Sequence, residues 1–198
     1  YSHVAQLADG AVQGGIGAIT ATVSDTTMAK LAVIPATRND GATDKAITGA
    51  YSITISDDEI DAAALNTLDG KTTAAITISA STPTITGALT TNNADAVNTA
   101  LRSTGITGAS ALNVKASAGT YTIAQANHAA GLTTGVVTAT ITSSTLADFA
   151  ALEDTGNAYT ISVSDTGTVD ASALNVLNGK STGVITVNAT KVSGALSD

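Results

Sequence analysis

The sequence predicts an α/β fold, and more specifically a right-handed solenoid of strand–short helix repeats with one parallel sheet. The first observation behind this prediction is a repeat, because residues 61–73 return as residues 170–182 with most positions unchanged. The second is that a run of alternating apolar and polar residues precedes and follows each copy, as in a half-buried strand. A unit of one strand and one helix that recurs about every 20 to 40 residues indicates a solenoid.

Seven strands are expected, each identified by the last apolar residue of an alternating run. These residues lie between 22 and 36 positions apart along the chain. The intervening stretches are long enough for the crossovers that parallel pairing needs, and right-handed connections are strongly preferred. The seven marker residues are Val23, Ile55, Ile78, Val114, Ile141, Val163 and Val187.

Short helices are expected between the strands, where Ala and Leu recur at helical spacing. Leu65 and Leu174 occupy equivalent positions in the two clearest copies, and both are predicted to point inward. Gly70 and Gly179 are predicted to end those helices in the left-handed conformation. The expected helical stretches are residues 61–70, 93–105, 123–135, 146–156 and 170–179.

The repeat pattern treats the whole chain, residues 1–198, as a single repeat region. Residues 1–46 hold divergent repeats, and residues 47–198 hold the clearer ones. The chain begins with Tyr1 and its last residues stop where a further helix is expected. We therefore expect a segment of a longer protein that continues into more repeats or pairs end to end with another subunit.

Composition and charge argue against several classes of function. A net charge of −8 would repel nucleic acid and anionic membrane surfaces, so neither partner is expected. The chain has no cysteine and no apolar run long enough to insert into a membrane. His3 and His128 lie in no catalytic motif, and Gly14 to Gly17 lacks the Lys-Ser/Thr of a phosphate loop. We expect no enzyme activity.

Acidic residues gather where strands are expected to end, notably at Asp57, Asp58 and Asp165. An aspartate before a helix is usually an N-cap that accepts backbone N–H bonds. The alternative is calcium, because carboxylates at the same corner of successive repeats could supply the oxygen ligands that this ion prefers. These three residues are the candidate calcium ligands, and helix capping is the interpretation we favour.

The outward faces of the strands carry Thr and Ser, which suit a solvated sheet surface. Such a face could also hold surface glycans, although sugar sites usually use aromatic platforms. The available aromatic residues are Tyr1, Tyr51, Tyr121, Phe149 and Tyr159. Loss of glycan binding on substitution of Tyr51 or Tyr159 would support that alternative.

Residues 169–187, together with residues 85–101, carry a resemblance to a known kind of protein. They resemble the Ala/Thr/Leu-rich repeats of giant extracellular proteins of cyanobacteria, and related repeats of surface-layer and phage-fibre proteins. The resemblance implies a non-enzymatic, extracellular structural or adhesive protein that forms a surface layer, a filament or a spacer. The alternative is a glycan- or receptor-binding segment of an adhesin or phage fibre. No catalytic residues are implied.

Overall fold

The computed structural model describes residues 20–34, 37–38, 45–46 and 49–194. The helices are α1 (Met28–Leu31), α2 (Ala62–Asp69), α3 (Ala96–Arg102), α4 (Ile123–Ala130) and α5 (Ala171–Lys180). Two 3₁₀ turns cover Ala109–Ala111 and Asp148–Ala151. The strands are β1 (Thr20–Thr22), β2 (Thr37–Arg38), β3 (Lys45–Ala46), β4 (Ala50–Ile55), β5 (Glu59–Asp61), β6 (Ile76–Ile78), β7 (Thr84–Gly87), β8 (Asn113–Ala116), β9 (Val137–Thr140), β10 (Ala158–Val163), β11 (Thr168–Asp170), β12 (Ile185–Val187) and β13 (Lys191–Ser193).

Parallel pairing dominates the described strands, which confirms the predicted α/β class. A six-stranded sheet has the order β12-β10-β9-β8-β7-β5, a three-stranded sheet has the order β1-β4-β6, and β11 pairs with β13. Every pairing in these three sheets is parallel. Within each sheet the strands follow one another in chain order, so each strand pairs with the strand of a neighbouring strand–helix unit.

The prediction of a single sheet is wrong. The parallel strands are divided among three sheets, and β2 and β3 form an antiparallel pair within the region expected to hold divergent repeats. The division arises because the chain bends within a unit. For example, β4 ends at Ile55 and β5 begins at Glu59, and the two strands pair with different neighbours, β6 and β7.

Strand residues alternate between the core and the surface as predicted. In β4, Tyr51, Ile53 and Ile55 are buried, whereas Ser52 is exposed. Parallel register places Ile53 beside Ile76, so buried positions of successive strands stack directly on one another. The same alternation in β10 buries the residues equivalent to those of β4. One continuous apolar cluster therefore runs through the described units.

Helices α2, α3 and α5 begin at aspartates that accept a backbone N–H bond three residues further on. Asp61 caps α2, Asp95 caps α3 and Asp170 caps α5. Each cap satisfies a donor that the first turn would otherwise leave without a partner. The helix expected over residues 146–156 is instead the short 3₁₀ turn Asp148–Ala151, which buries Phe149.

The predicted left-handed glycine caps are also wrong. Gly70 has a φ of −65°, an ordinary right-handed helical value, and Gly179 lies inside α5. Among the described residues, the glycines with positive φ are Gly108, Gly119 and Gly156. Neither glycine reverses the chain, and a hydroxyl residue two positions later, Thr72 or Ser181, makes the contact with the preceding unit.

Candidate functional site

The clearest recurrent site is a hydroxyl that joins one unit to the preceding one. Thr72 Oγ1 accepts a hydrogen bond from Tyr51 N at 2.9 Å and donates to Tyr51 O at 2.8 Å. In the second copy, Ser181 Oγ accepts from Tyr159 N at 3.0 Å and donates to Tyr159 O at 2.9 Å. A single buried hydroxyl thus satisfies both backbone groups of a core residue, as burial requires.

Each hydroxyl also accepts a hydrogen bond from its own chain two residues later. Gly183 N donates to Ser181 Oγ, and Gly135 N donates to Thr133 Oγ1. Thr133 Oγ1 in turn donates to Leu112 O at 2.6 Å. We call Thr72, Thr133 and Ser181 the bridging hydroxyls. The sequence does mark these residues: each is a Ser or Thr that follows a helix and stands two positions before a Gly or Ala. The sequence analysis considered only the glycine before the hydroxyl, as a helix cap.

Two of the candidate calcium ligands contact the preceding unit instead of capping the helix that follows them. Asp57 Oδ2 accepts from Met28 N, the first residue of α1, at 2.7 Å. Asp165 Oδ2 accepts from Leu146 N, just before the 3₁₀ turn, at 2.6 Å. Carboxylates placed at the start of helical turns satisfy backbone donors there. Their shared role is to tie successive units together.

The third candidate ligand, Asp58, is exposed. It neighbours Asp57 in the chain, whereas Asp165 follows β10, a strand of a different sheet. Within residues 20–34, 37–38, 45–46 and 49–194, no three acidic, histidine or cysteine side chains are grouped closely enough to hold a metal ion. Calcium binding stays a prediction.

The aromatic side chains of the described residues lie in the core. Tyr51 is 2% exposed and Tyr159 is 1% exposed, and Tyr121 and Phe149 are also buried. Burial raises the pKa of both Tyr51 and Tyr159, and the negative charge of Asp154 adds to the rise in the pKa of Tyr159. Tyr1 lies outside the described residues. None of the four described rings offers a platform on which a sugar could stack.

A polar row crosses the outer face of the six-stranded sheet. Parallel register aligns Asp61 with Thr86, Thr86 with Lys115, and Lys115 with Thr138. Lys115 Nζ also donates to both carboxylate oxygens of Glu59, at 2.9 and 3.0 Å, across the intervening strand. Along this row the acid Asp61, the hydroxyl of Thr86 and the amine of Lys115 lie side by side on the neighbouring strands β5, β7 and β8.

The histidine of the described chain joins two helices. His128 Nε2 lies 3.0 Å from Asn98 Nδ2, and Asn98 Nδ2 also donates to Asn92 O at 2.6 Å. Asn98 is buried, so these contacts pair its amide between α3 and α4. The contacts give His128 a packing role. His3 and the Gly14–Gly17 stretch lie outside the described residues.

No protein-family model, curated protein or solved structure matches this chain. None of the helices in the described ranges is long and apolar enough to cross a membrane.

Proposed function

We propose that this chain is a right-handed α/β solenoid that serves as a non-enzymatic structural segment of an extracellular surface layer, filament or spacer. The observation that carries the proposal is the chain-order stacking of parallel strands. We call each strand–helix unit a coil. A stack in which coils contact mainly their neighbours is extended by adding coils, and its function then depends on its length and its repeated faces.

The contacts between coils support this role. The bridging hydroxyls, the carboxylates of Asp57 and Asp165, and the continuous apolar cluster all join one coil to an adjacent one. Among the described residues, the fully buried side-chain hydrogen bonds are made by Thr72, Asn157 and Ser181, and each of them joins adjacent coils. This arrangement suits a load-bearing or spacing body.

The alternative function is a glycan- or receptor-binding segment of an adhesin. Tyr51, Tyr121, Phe149 and Tyr159 are buried, so the aromatic rings of the described residues are not available as platforms for a sugar. Exposed Thr and Ser on the strands remain available for polar contacts. The structural role has the stronger support.

Electron microscopy of the purified chain tests the proposed role, combined with fractionation of the cells that produce it. Elongated particles or filaments, and location at the cell surface, would support it. A Leu65→Asp variant is the control, because disruption of an inner coil should abolish the elongated form. Compact particles with specific signals on a glycan array would contradict the structural role and favour the adhesin.

A further inference from the structure

A buried amide and a histidine form a polar contact between α3 and α4. Asn98 in α3 is 1% exposed, and its Nδ2 lies 2.6 Å from Asn92 O and 3.0 Å from His128 Nε2. His128 is half-buried in α4, which belongs to the next coil. The amide nitrogen carries two hydrogens, and each of these contacts uses one of them.

The Asn92 carbonyl fixes the orientation of the Asn98 amide. A backbone carbonyl can only accept, so the Asn98 atom beside it is the nitrogen and not the oxygen. The same nitrogen donates to His128, which makes Nε2 of the imidazole an acceptor. Nε2 therefore carries no proton, and the ring is neutral with its proton on Nδ1.

Protonation of His128 is not accommodated by turning the amide. A charged imidazole carries a hydrogen on Nε2, so Nε2 and Asn98 Nδ2 would become two donors that face each other. Half a turn of the amide would give Nε2 an acceptor, but it would place the Asn98 oxygen against Asn92 O. Either orientation leaves a buried polar group without a suitable partner, which is unfavourable.

Other polar contacts between neighbouring coils end on acceptors that do not titrate. Asn66 Nδ2 donates to Ala96 O and Asn127 Nδ2 donates to Ala151 O, both at 2.8 Å. A backbone carbonyl keeps its charge and its acceptor role as pH changes. Histidine is the side chain that ordinarily changes charge between about pH 5 and about pH 8. The contact of His128 therefore differs from these two in its response to acid.

The charges around His128 do not offset the loss of this contact. The charged groups on the elements next to it are Asp95 and Arg102 on α3, and Asp148 and Glu153 in the coil after α4. In the described part of the chain none of them forms an ion pair with His128, and both carboxylate oxygens of Asp95 accept from other groups. The last turn of α4 favours a positive charge weakly, whereas an unmet buried donor costs more.

We propose that His128 is a pH-sensitive contact, which holds the coil of α4 against the coil of α3 at neutral pH and releases it in acid. In the folded chain Nε2 accepts from Asn98 only without a proton, whereas the unfolded chain binds that proton freely. The unfolded state thus binds more protons in acid, so the stability provided by the contact is present at neutral pH and is lost as pH falls. The stack then weakens between two inner coils.

NMR of the imidazole nitrogens tests the assigned state in the wild-type chain. At neutral pH we expect the proton of His128 on Nδ1, with Nε2 unprotonated. Addition of acid should shift the side-chain amide signals of Asn98 together with the ring signals of His128. A proton on Nε2 at neutral pH would overturn the inference.

Denaturant unfolding at about pH 8 and about pH 5 measures the consequence. We expect acid to lower the folding equilibrium constant of wild type about tenfold more than that of His128→Gln, whose side-chain oxygen accepts but does not titrate. His3→Gln is the matched control, because His3 is the other histidine of the sequence, and it should keep the wild-type response. Equal pH dependence of wild type and His128→Gln would also overturn the inference, and it would leave the chain-order stacking of the proposed function intact.

Discussion

The hydroxyl of Tyr159 is buried and has no hydrogen-bond partner among the described residues. Removing a buried polar group that lacks a partner can be neutral or stabilising, because its desolvation is not compensated. We expect Tyr159→Phe to raise the free energy of unfolding by up to about 1 kcal/mol. Tyr51→Phe is the matched control at the equivalent position, and its hydroxyl is not an orphaned buried atom. Denaturant unfolding of both variants measures the difference; a loss of stability in Tyr159→Phe alone would contradict the account.

The same tyrosines predict a dependence of stability on alkaline pH. Burial raises the pKa of Tyr51 and Tyr159 above the ordinary value of 10.0. An unfolded tyrosine loses its proton first, so the stability contribution of each buried phenol is complete below pH 10.0 and is lost as pH rises above it. We expect a steeper loss in wild type than in Tyr159→Phe. Equal slopes in pH-dependent denaturant unfolding would count against burial of Tyr159.

One other ionisable group, Lys71, bears on that measurement. Burial lowers the pKa of Lys71, which adds a stability change of opposite sign. This change is common to wild type and Tyr159→Phe, so the comparison between them isolates the tyrosine. The free energy of unfolding at neutral pH, measured for wild type and for Tyr159→Phe, is the value from which each loss at alkaline pH is calculated.

At some glycines a neighbouring backbone lies so close that a side chain would not fit, and at others there is open space. A Cβ at Gly135 would lie 2.5 Å from Leu112 O, whereas a Cβ at Gly179 would meet nothing within 4 Å. We expect Gly135→Ala to cost about 1–3 kcal/mol through a forced shift, and Gly179→Ala to gain up to about 1 kcal/mol in α5. Similar thermal shifts for the two variants would contradict this close approach.

Residue roles were predictable only where the local pattern decides them. The alternation in β10 is enough to predict that Ile161 is buried and Thr160 exposed. The contacts of Asp57 and Asp165 were not predictable, because their partners lie 29 and 19 residues earlier in the chain. Sequence reasoning identified aspartates as backbone-capping residues, and the structure adds which backbone they contact.

At the scale of the element, α2 and α5 pack against their coils through a face that carries leucine. Leu65 in α2 is fully buried, and Leu174 in α5 is half-buried. We expect Leu65→Asp to cost about 3 kcal/mol or more, and Leu174→Asp to cost less. Ser162→Ala in β10 is the control and should change stability by less than about 1 kcal/mol. Thermal unfolding would contradict the assigned faces if all three variants behaved alike.

Longer elements with a clear period were predictable, and the shortest ones were not. The run in β4 and the helix α2 follow periods of two and three to four residues, so both were found. Strands such as Glu59–Asp61 and Lys191–Ser193 have a single apolar residue between polar ones. Three residues cannot display a period, so these strands are fixed by pairing with neighbours and not by local pattern.

At the scale of the whole molecule, parallel pairing was predictable because each strand is followed by enough chain for a crossover. The number of sheets was not predictable, because the bend between β4 and β5 depends on which neighbour each strand pairs with. The antiparallel pairing of β2 and β3 likewise was not predictable, because no alternating pattern marks these two short strands. The repeat in the sequence indicates stacking, and the details of the stack come from contacts between coils.

Distances between spin labels test most directly whether the strands stack in chain order. The absence of native cysteine allows clean labelling at Thr86 with Lys115, Thr138 or Thr182 as the second site. These lie one, two and four strands from Thr86 in the parallel register. Stacking in chain order predicts electron paramagnetic resonance distances that grow by about 4.8 Å per strand, so that Thr182 lies about 19 Å from Thr86. Distances that fail to increase from Lys115 to Thr138 to Thr182 would contradict it.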